Sequence, residues 1–439
     1  MDKKSRLIFT AITILVLSIG TLIGIFLVQG NTLDIKNKQV VQNGVLVVNS
    51  VPSGAAIYID EHFTNTTNTS IKFLPAKKYK VRLTKEGYIP WEKEIDVNKD
   101  IIAEIQAILW PATPAPNPLT TTGAINVQAS PDKQKISYAI RYNEKDKAGI
   151  WVMDMAKKGV FSGPATDYTQ IIKNTTALDF SSAKYIWSPD SKQILVTLQE
   201  NNNPESRFTR NYVLDITKTN TAPSDVTLTK ATVLASWNDE YNKIQSIRLS
   251  KLNGDPNGQQ IASNSAIPLK WSYDGTMFLY ATSEKKEIKT SKTSPPVAFK
   301  NPTKTATSSS LQQSQIEIAS SSANYINSIE ALNATYSSDL SIKVYDLRHK
   351  KQYNLPFANI YTWYPEEEKA DRHVEHLVMM EEGKISMIET DGTNKSTIYS
   401  GPFTQNLVFP WTDGGRLVFL TNFNSSTGSE PNLYTLGLR

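Results

Sequence analysis

The strongest constraint on the fold is a short motif that keeps returning along the chain. Trp187-Ser188-Pro189-Asp190 precedes the apolar run Gln193-Ile194-Leu195-Val196-Thr197. Trp271-Ser272-Tyr273-Asp274-Gly275 precedes Met277-Phe278-Leu279-Tyr280, and Trp411-Thr412-Asp413-Gly414 precedes Leu417-Val418-Phe419-Leu420. Ala129-Ser130-Pro131-Asp132 before Ile136-Ser137-Tyr138 is a copy without the Trp. Weaker copies start at Trp237-Asn238-Asp239-Glu240 and Trp363-Tyr364-Pro365-Glu366. Several copies continue into a strand pattern ending in an acid: Asp154, Asp215, Asp346 and Glu389. Each copy therefore reads as strand, tight turn, strand, loop, strand. One such sheet cannot bury both faces, so the copies must stack around a ring. The spacing predicts about six blades over residues 120–439, with the repeated Trp packed between neighbours. Closure is expected where Ala124-Ile125-Asn126-Val127 pairs with Asn432-Leu433-Tyr434-Thr435-Leu436, which would remove an exposed sheet edge.

The copies are unevenly spaced: the third is short, and the fourth carries an insertion at 284–338. Within it, residues 285–310 are rich in Lys, Ser, Thr and Pro, too polar to build a core. Ile326, Ile329 and Leu332 have near-helical spacing and predict a short helix, serving as solvated decoration or as a partner-binding arm.

Upstream, residues 44–110 alternate with period two. Val45-Leu46-Val47-Val48 and Ala56-Ile57-Tyr58-Ile59 read as strands around the turn Pro52-Ser53-Gly54. Tyr79, Val81 and Leu83 oppose Lys80, Arg82 and Thr84, and Trp91, Ile95 and Val97 alternate with acids, as half-buried strands require. Pro111, Pro114, Pro116 and Pro118 follow closely, so 111–119 is expected to be a semi-rigid spacer.

These residues carry two resemblances. Val51-Pro52-Ser53-Gly54-Ala55 before Ile57-Tyr58-Ile59-Asp60, with Leu83-Thr84-Lys85-Glu86-Gly87-Tyr88 later, resembles the PEGA domain, although Ser53 stands where that family usually has Glu. Glu61-His62 also replaces a common Asp-Gly turn. That resemblance implies a compact extracytoplasmic β module without catalytic residues. The Ser-Pro-Asp turns and the 151–154 type of strand resemble TolB-like, WD40-like propeller repeats of exported proteins. The expected fold class is thus all-β: a small PEGA-like module, then a β-propeller of about six blades.

Residues 7–28 form an uncharged apolar run, long enough at about 1.5 Å per residue to cross a bilayer core of roughly 30 Å. Lys3, Lys4 and Arg6 precede it, so the positive-inside rule predicts a cytoplasmic tail at 1–6, a single transmembrane helix at 7–28 and an extracytoplasmic remainder. A cleaved signal peptide is the alternative, but its apolar region is normally shorter. Residues 29–43 are polar and read as a spacer. Cysteine is absent from the 439 residues, so neither a disulfide nor a lipoprotein anchor is available. The net charge of +5 comes without a basic stripe, which argues against nucleic-acid binding. Mean hydropathy of −0.35 fits a soluble body beyond the anchor.

Catalytic signatures are missing. No nucleophile elbow or phosphate-cradling loop occurs. His373 and His376 lie three apart, with Glu375 between, in a stretch that reads as a strand, which places them on opposite faces. The recurrent acids Asp132, Asp190, Glu240, Asp274 and Glu366 suggest a cation ring, but turn chemistry explains them more simply. Glu366-Glu367-Glu368 with Asp371 reads as a solvated loop, and Asn253-Gly254-Asp255-Pro256-Asn257-Gly258 falls short of a calcium loop. No catalytic, cofactor or metal residue is therefore assigned, and no ligand-binding residue can be named. The expected role is non-enzymatic: a membrane-anchored binding or scaffold protein of the cell envelope, recognising an envelope polysaccharide or protein. The rivals are a propeller-based carbohydrate-active hydrolase or lyase, and a sensor, which would need a membrane partner because residues 1–6 offer no output domain.

Overall fold

In the computed structural model all residues are described except 1–2, 29–30, 35–38, 100, 142–145, 156–166, 200–208, 284–324, 329, 331, 366–374, 405, 424–429 and 439. The chain divides into two compact units, one within 1–113 and the other from 114 onward.

The first unit begins with helix α1, Lys3–Val28. Its side chains at 9–25 are all exposed, Leu17 and Leu22 by about two thirds. Among the described residues no helix is long and apolar enough to cross a membrane. The apolar run 7–28 lies within this helix. The expected spacer is instead partly a hairpin, with Asn31–Asp34 antiparallel to the start of Gln39–Val51. Gln39–Val51 pairs with Thr69–Pro75 on one side and, in parallel, with Ile102–Ile108 on the other. A second sheet has the order His62–Thr66, Ala56–Ile59, Lys78–Thr84, Trp91–Asp96. The alternation read at Tyr79, Val81 and Leu83 is the observed burial pattern. These side chains meet Leu46, Val48, Ile57, Trp91 and Ile105 in one core. At about 1.5–3 kcal/mol per large apolar side chain, that burial is what holds a cysteine-free module together. Asp60 and Glu61 both have positive φ, 47° and 66°, the mirror-image turn whose twist suits a two-residue hairpin. Pro111 bridges back to Tyr88, and the Ala112 amide donates to the Gly87 carbonyl, so the start of the expected linker belongs to this unit.

Among the described residues the second unit contains five four-stranded antiparallel sheets. Their first strands are Ile125–Ala129, Lys184–Trp187, Lys270–Trp271, Ile360–Trp363 and Val408–Pro410. First strands of neighbouring sheets touch. Gln128 Nε2 donates to the Tyr185 carbonyl at 2.8 Å, and the Tyr185 hydroxyl to the Asn126 carbonyl. Trp363 Nε1 donates to the Lys270 carbonyl at 2.8 Å. The first strands therefore line the axis and the fourth strands lie at the rim.

A continuous circuit of cores runs around that axis. Sheet one shares a core with sheet two and another with sheet five. Sheets three and four share a third. Tyr399 of sheet four packs on Phe419 of sheet five, ring centres 4.9 Å apart. Between sheets two and three stand two helices, α2 (Lys230–Ser250) and α3 (Pro256–Ser263). Leu234 and Trp237 of α2 pack on Leu195 of sheet two. Leu252, with Ile261 and Ala262 of α3, packs on Trp271, Phe278 and Tyr345 of sheet three. The ring thus has six members, five blades and one helical segment.

This corrects the expectation at the third copy: Trp237-Asn238-Asp239-Glu240 lies inside α2 and makes no blade. The closure is corrected as well. Asn432–Gly437 is the expected C-terminal partner, but it pairs with Pro116–Pro118, in register Tyr434 to Pro118 and Leu436 to Pro116. The segment 116–118 is therefore the rim strand of the fifth blade and not a spacer, a position where proline's missing amide costs no ladder bond. Ile125–Ala129 opens the first blade instead. Of the insertion, residues 325–328, 330 and 332–333 are helical, matching the expected short helix. The low-complexity stretch 285–310 lies outside the described residues.

Candidate functional site

The recurrent turns connect the first and second strands of the blades and share one geometry. The fourth residue donates its amide to the first carbonyl: Lys133 to Ser130 at 2.9 Å, Ser191 to Ser188 at 3.0 Å, Gly275 to Ser272 at 3.0 Å and Gly414 to Trp411 at 2.8 Å. The acids serve these turns. Asp190 Oδ1 accepts from Ser188 Oγ at 2.6 Å and the Lys192 amide at 3.1 Å. Asp274 Oδ1 accepts from Ser272 Oγ at 2.7 Å and the Thr276 amide at 2.9 Å. Asp132 and Asp413 accept the amides of Gln134 and Gly415 in the same manner. Turn chemistry therefore accounts for these four acids, while Glu240 sits on α2 and Glu366 lies outside the described residues. The strand-ending acids are tied in similarly. Asp215 accepts from the Thr217 hydroxyl and amide, which hold its carboxyl below the usual range.

The repeated Trp packs between blades and makes a bond there. Trp187 Nε1 donates to Ser137 Oγ of the preceding blade at 2.9 Å, and Trp363 Nε1 to the preceding blade's Lys270 carbonyl. Trp271 has the helical segment before it in place of a blade, and its buried Nε1 has no partner among the described residues.

A groove of about 830 Å³ opens where sheet two meets α2. Gln193, Ser224, Thr232 and Ser236 supply amide and hydroxyl groups around Val213 and Trp237. Trp237 is buried and meets Tyr325 edge-on, ring centres 6.3 Å apart. The charged lining residues, Asp215 and Lys218, lie 3.6 Å apart and belong to the loop's own turn. The groove can hydrogen-bond, and the acid in its lining, Asp215, is committed to its own turn. None of its residues was singled out as a site in the sequence apart from the Trp237 repeat.

His376 is buried in the strand His376–Glu381, opposite Glu389. His373, Glu366, Glu367, Glu368 and Asp371 lie outside the described residues. The 253–258 segment is the cap of α3, where Asp255 accepts from the Gly258 amide at 3.2 Å and from the Tyr345 hydroxyl at 2.6 Å. Among the described residues no group of three potential metal ligands gathers.

Residues 43–112 match the family model of the PEGA domain. No curated protein matches the chain. In structure it is similar to TolB from Acinetobacter baumannii, with 13% identity over 83% of this chain and 61% of that chain and a TM-score of 0.21. It is also similar to the β-propeller domain of the Trilobed protease from Pyrococcus furiosus, with 11% identity over 72% and 70% of the two chains and a TM-score of 0.18. The chain thus spans about three fifths of the TolB chain it matches. The propeller assignment rests on the five sheets and their closing strand.

Proposed function

We propose that this protein is a membrane-anchored, extracytoplasmic binding or scaffold protein of the cell envelope, which engages an envelope polymer or protein through its propeller. The observation that carries the reading is the groove beside Trp237: roomy and lined by hydroxyls and amides, with its acid, Asp215, held in its own turn. Such a lining suits a neutral polar ligand such as a glycan or a peptide backbone. The anchor is supported by the uncharged run at 7–28 and by the exposed apolar side chains of α1. Retention of envelope glycans or envelope proteins by the part beyond Asn31, and loss of that retention in Ser236→Trp, which fills the groove, is the expected outcome. Failure to retain any envelope fraction counts against the binding role. Protease added to intact cells is expected to remove the propeller; its survival there, with digestion in a lysate, counts against the orientation.

A further inference from the structure

The first sheet of the PEGA domain has an outer face whose two ends differ in chemistry. Along Gln39–Val51, Leu46 and Val48 turn into the core, so Val45, Val47 and Asn49 belong to the opposite face. In parallel register Val45 meets Ile102, Val47 meets Glu104 and Asn49 meets Gln106. On the other side Val47 meets Ser70. The far end of this face is polar, with Gln106 Nε2 donating to Glu104 Oε1 at 2.7 Å. The end at Val45 is apolar.

Phe73 completes that apolar end. Gly44 pairs with Leu74 and Leu46 with Ile71, so Lys72 and Phe73 both stand opposite Val45 in a bulge. Phe73 has a φ of 61°, a left-handed conformation in which a bulky residue is an outlier. Ile71 and Leu74 pack on the core, whereas Phe73 and Ile102, with Ile101 beside it, are each about two thirds exposed. A strained backbone that holds an aromatic ring in water points to something that covers the ring. The chain also arrives at this end. Asn31 pairs with Gln42, three residues before Val45, and α1 ends at Val28, three residues before Asn31. At about 3.3–3.6 Å per residue, the apolar strip lies within roughly 20 Å of the helix end. The chain leaves the sheet at its other end, after Ile108. A second copy is a poor cover, because a stable dimer buries about 800 Å² per partner and an aromatic side chain offers only about 150–250 Å².

We propose that this strip, Phe73, Val45 and Ile102 with Ile101, rests on a lipid bilayer and sinks into the boundary between headgroups and acyl chains. Lys72, exposed in the same bulge, then lies among the headgroups. The inference rests on the reading of 7–28 as an anchor. The chain has no cysteine, so one introduced thiol carries one label. The full chain is reconstituted in phosphatidylcholine–phosphatidylglycerol vesicles as Phe73→Cys, as Ile102→Cys or, in the exposed turn at the far end of the sheet, as Ser53→Cys, each labelled with nitrobenzoxadiazole. Nitroxide-bearing lipid is expected to quench the label at 73 and at 102 at least about twofold more than at 53. Selective quenching at either position in a folded chain supports the contact. Equal quenching at all three positions overturns it. So does a label at 102 that is shielded from water yet not quenched, the result for a strip covered by protein. A chain that fails to float with the vesicles removes the anchor and this contact together; one that floats without selective quenching removes only the contact.

Discussion

Trp187 and Trp271 occupy equivalent places, but one donates to a preceding blade and the other faces helices. Trp187→Phe removes the bond to the buried Ser137 and is expected to cost about 1–2 kcal/mol more than Trp271→Phe, which forfeits no bond. Urea unfolding of both variants checks this; equal losses would mean that the helical segment serves Trp271 as well as a blade would. Lys270 yields a pH dependence. Burial holds its folded value near 7, below the ordinary 10.5, so the unfolded chain holds the extra proton between these values. Stability contributed at this site therefore rises with pH from about 7 to about 10 and is lowest below 7. Lys270→Met is expected to flatten that rise in a melting-temperature series. At this scale the sequence was informative where chemistry is local. Ser188 and Asp190 lie two apart and form one turn, so their role was readable. Lys270 meets the Tyr336 ring and the Tyr361 carbonyl only through the fold, and no spacing announced that contact.

Among the elements, the strands of the PEGA domain were legible because one buried face imposes strict alternation, as in Lys78–Thr84. The helix α2 was missed because Trp237-Asn238-Asp239-Glu240 copies the letters of the turn motif. The other copies contain Pro or Gly at the turn (Pro131, Pro189, Gly275, Pro365, Gly414), whereas Lys230–Ser250 has neither. That absence was the available signal, since a tight turn needs such residues and a helix excludes them. The insertion is pinned where it returns to the ring. Tyr325 is buried against Trp237 and Tyr241 and donates to the Trp187 carbonyl at 2.7 Å. Tyr325→Ala is expected to cost about 3–5 kcal/mol in urea unfolding, and Tyr325→Phe only about 1. A loss near zero in the alanine variant would show that α2 holds its place without this contact.

For the whole molecule, two units built on β-sheets were readable, and 432–436 was read as the C-terminal closing strand, but its partner is 116–118 and not the expected 124–127. Blade number was not readable, because a helical segment can fill a blade's place without matching its pattern. Closure by Pro116–Pro118 has a direct test. A propeller beginning at residue 114 is expected to be monomeric in light scattering. One beginning at 124, which loses that strand and the Thr120 bonds to Asn432 and Leu433, presents a bare edge and is expected to self-associate. If both fragments are monomeric, the strand is dispensable to the edge.

The closing strand has a mechanical corollary. Because the chain enters and leaves the propeller at the same blade, a pull arriving from the N-terminal side falls first on a three-residue pairing and spares the four blades that follow. Under load the fifth blade is the seam that opens, and the rest of the wheel is insulated from the tug.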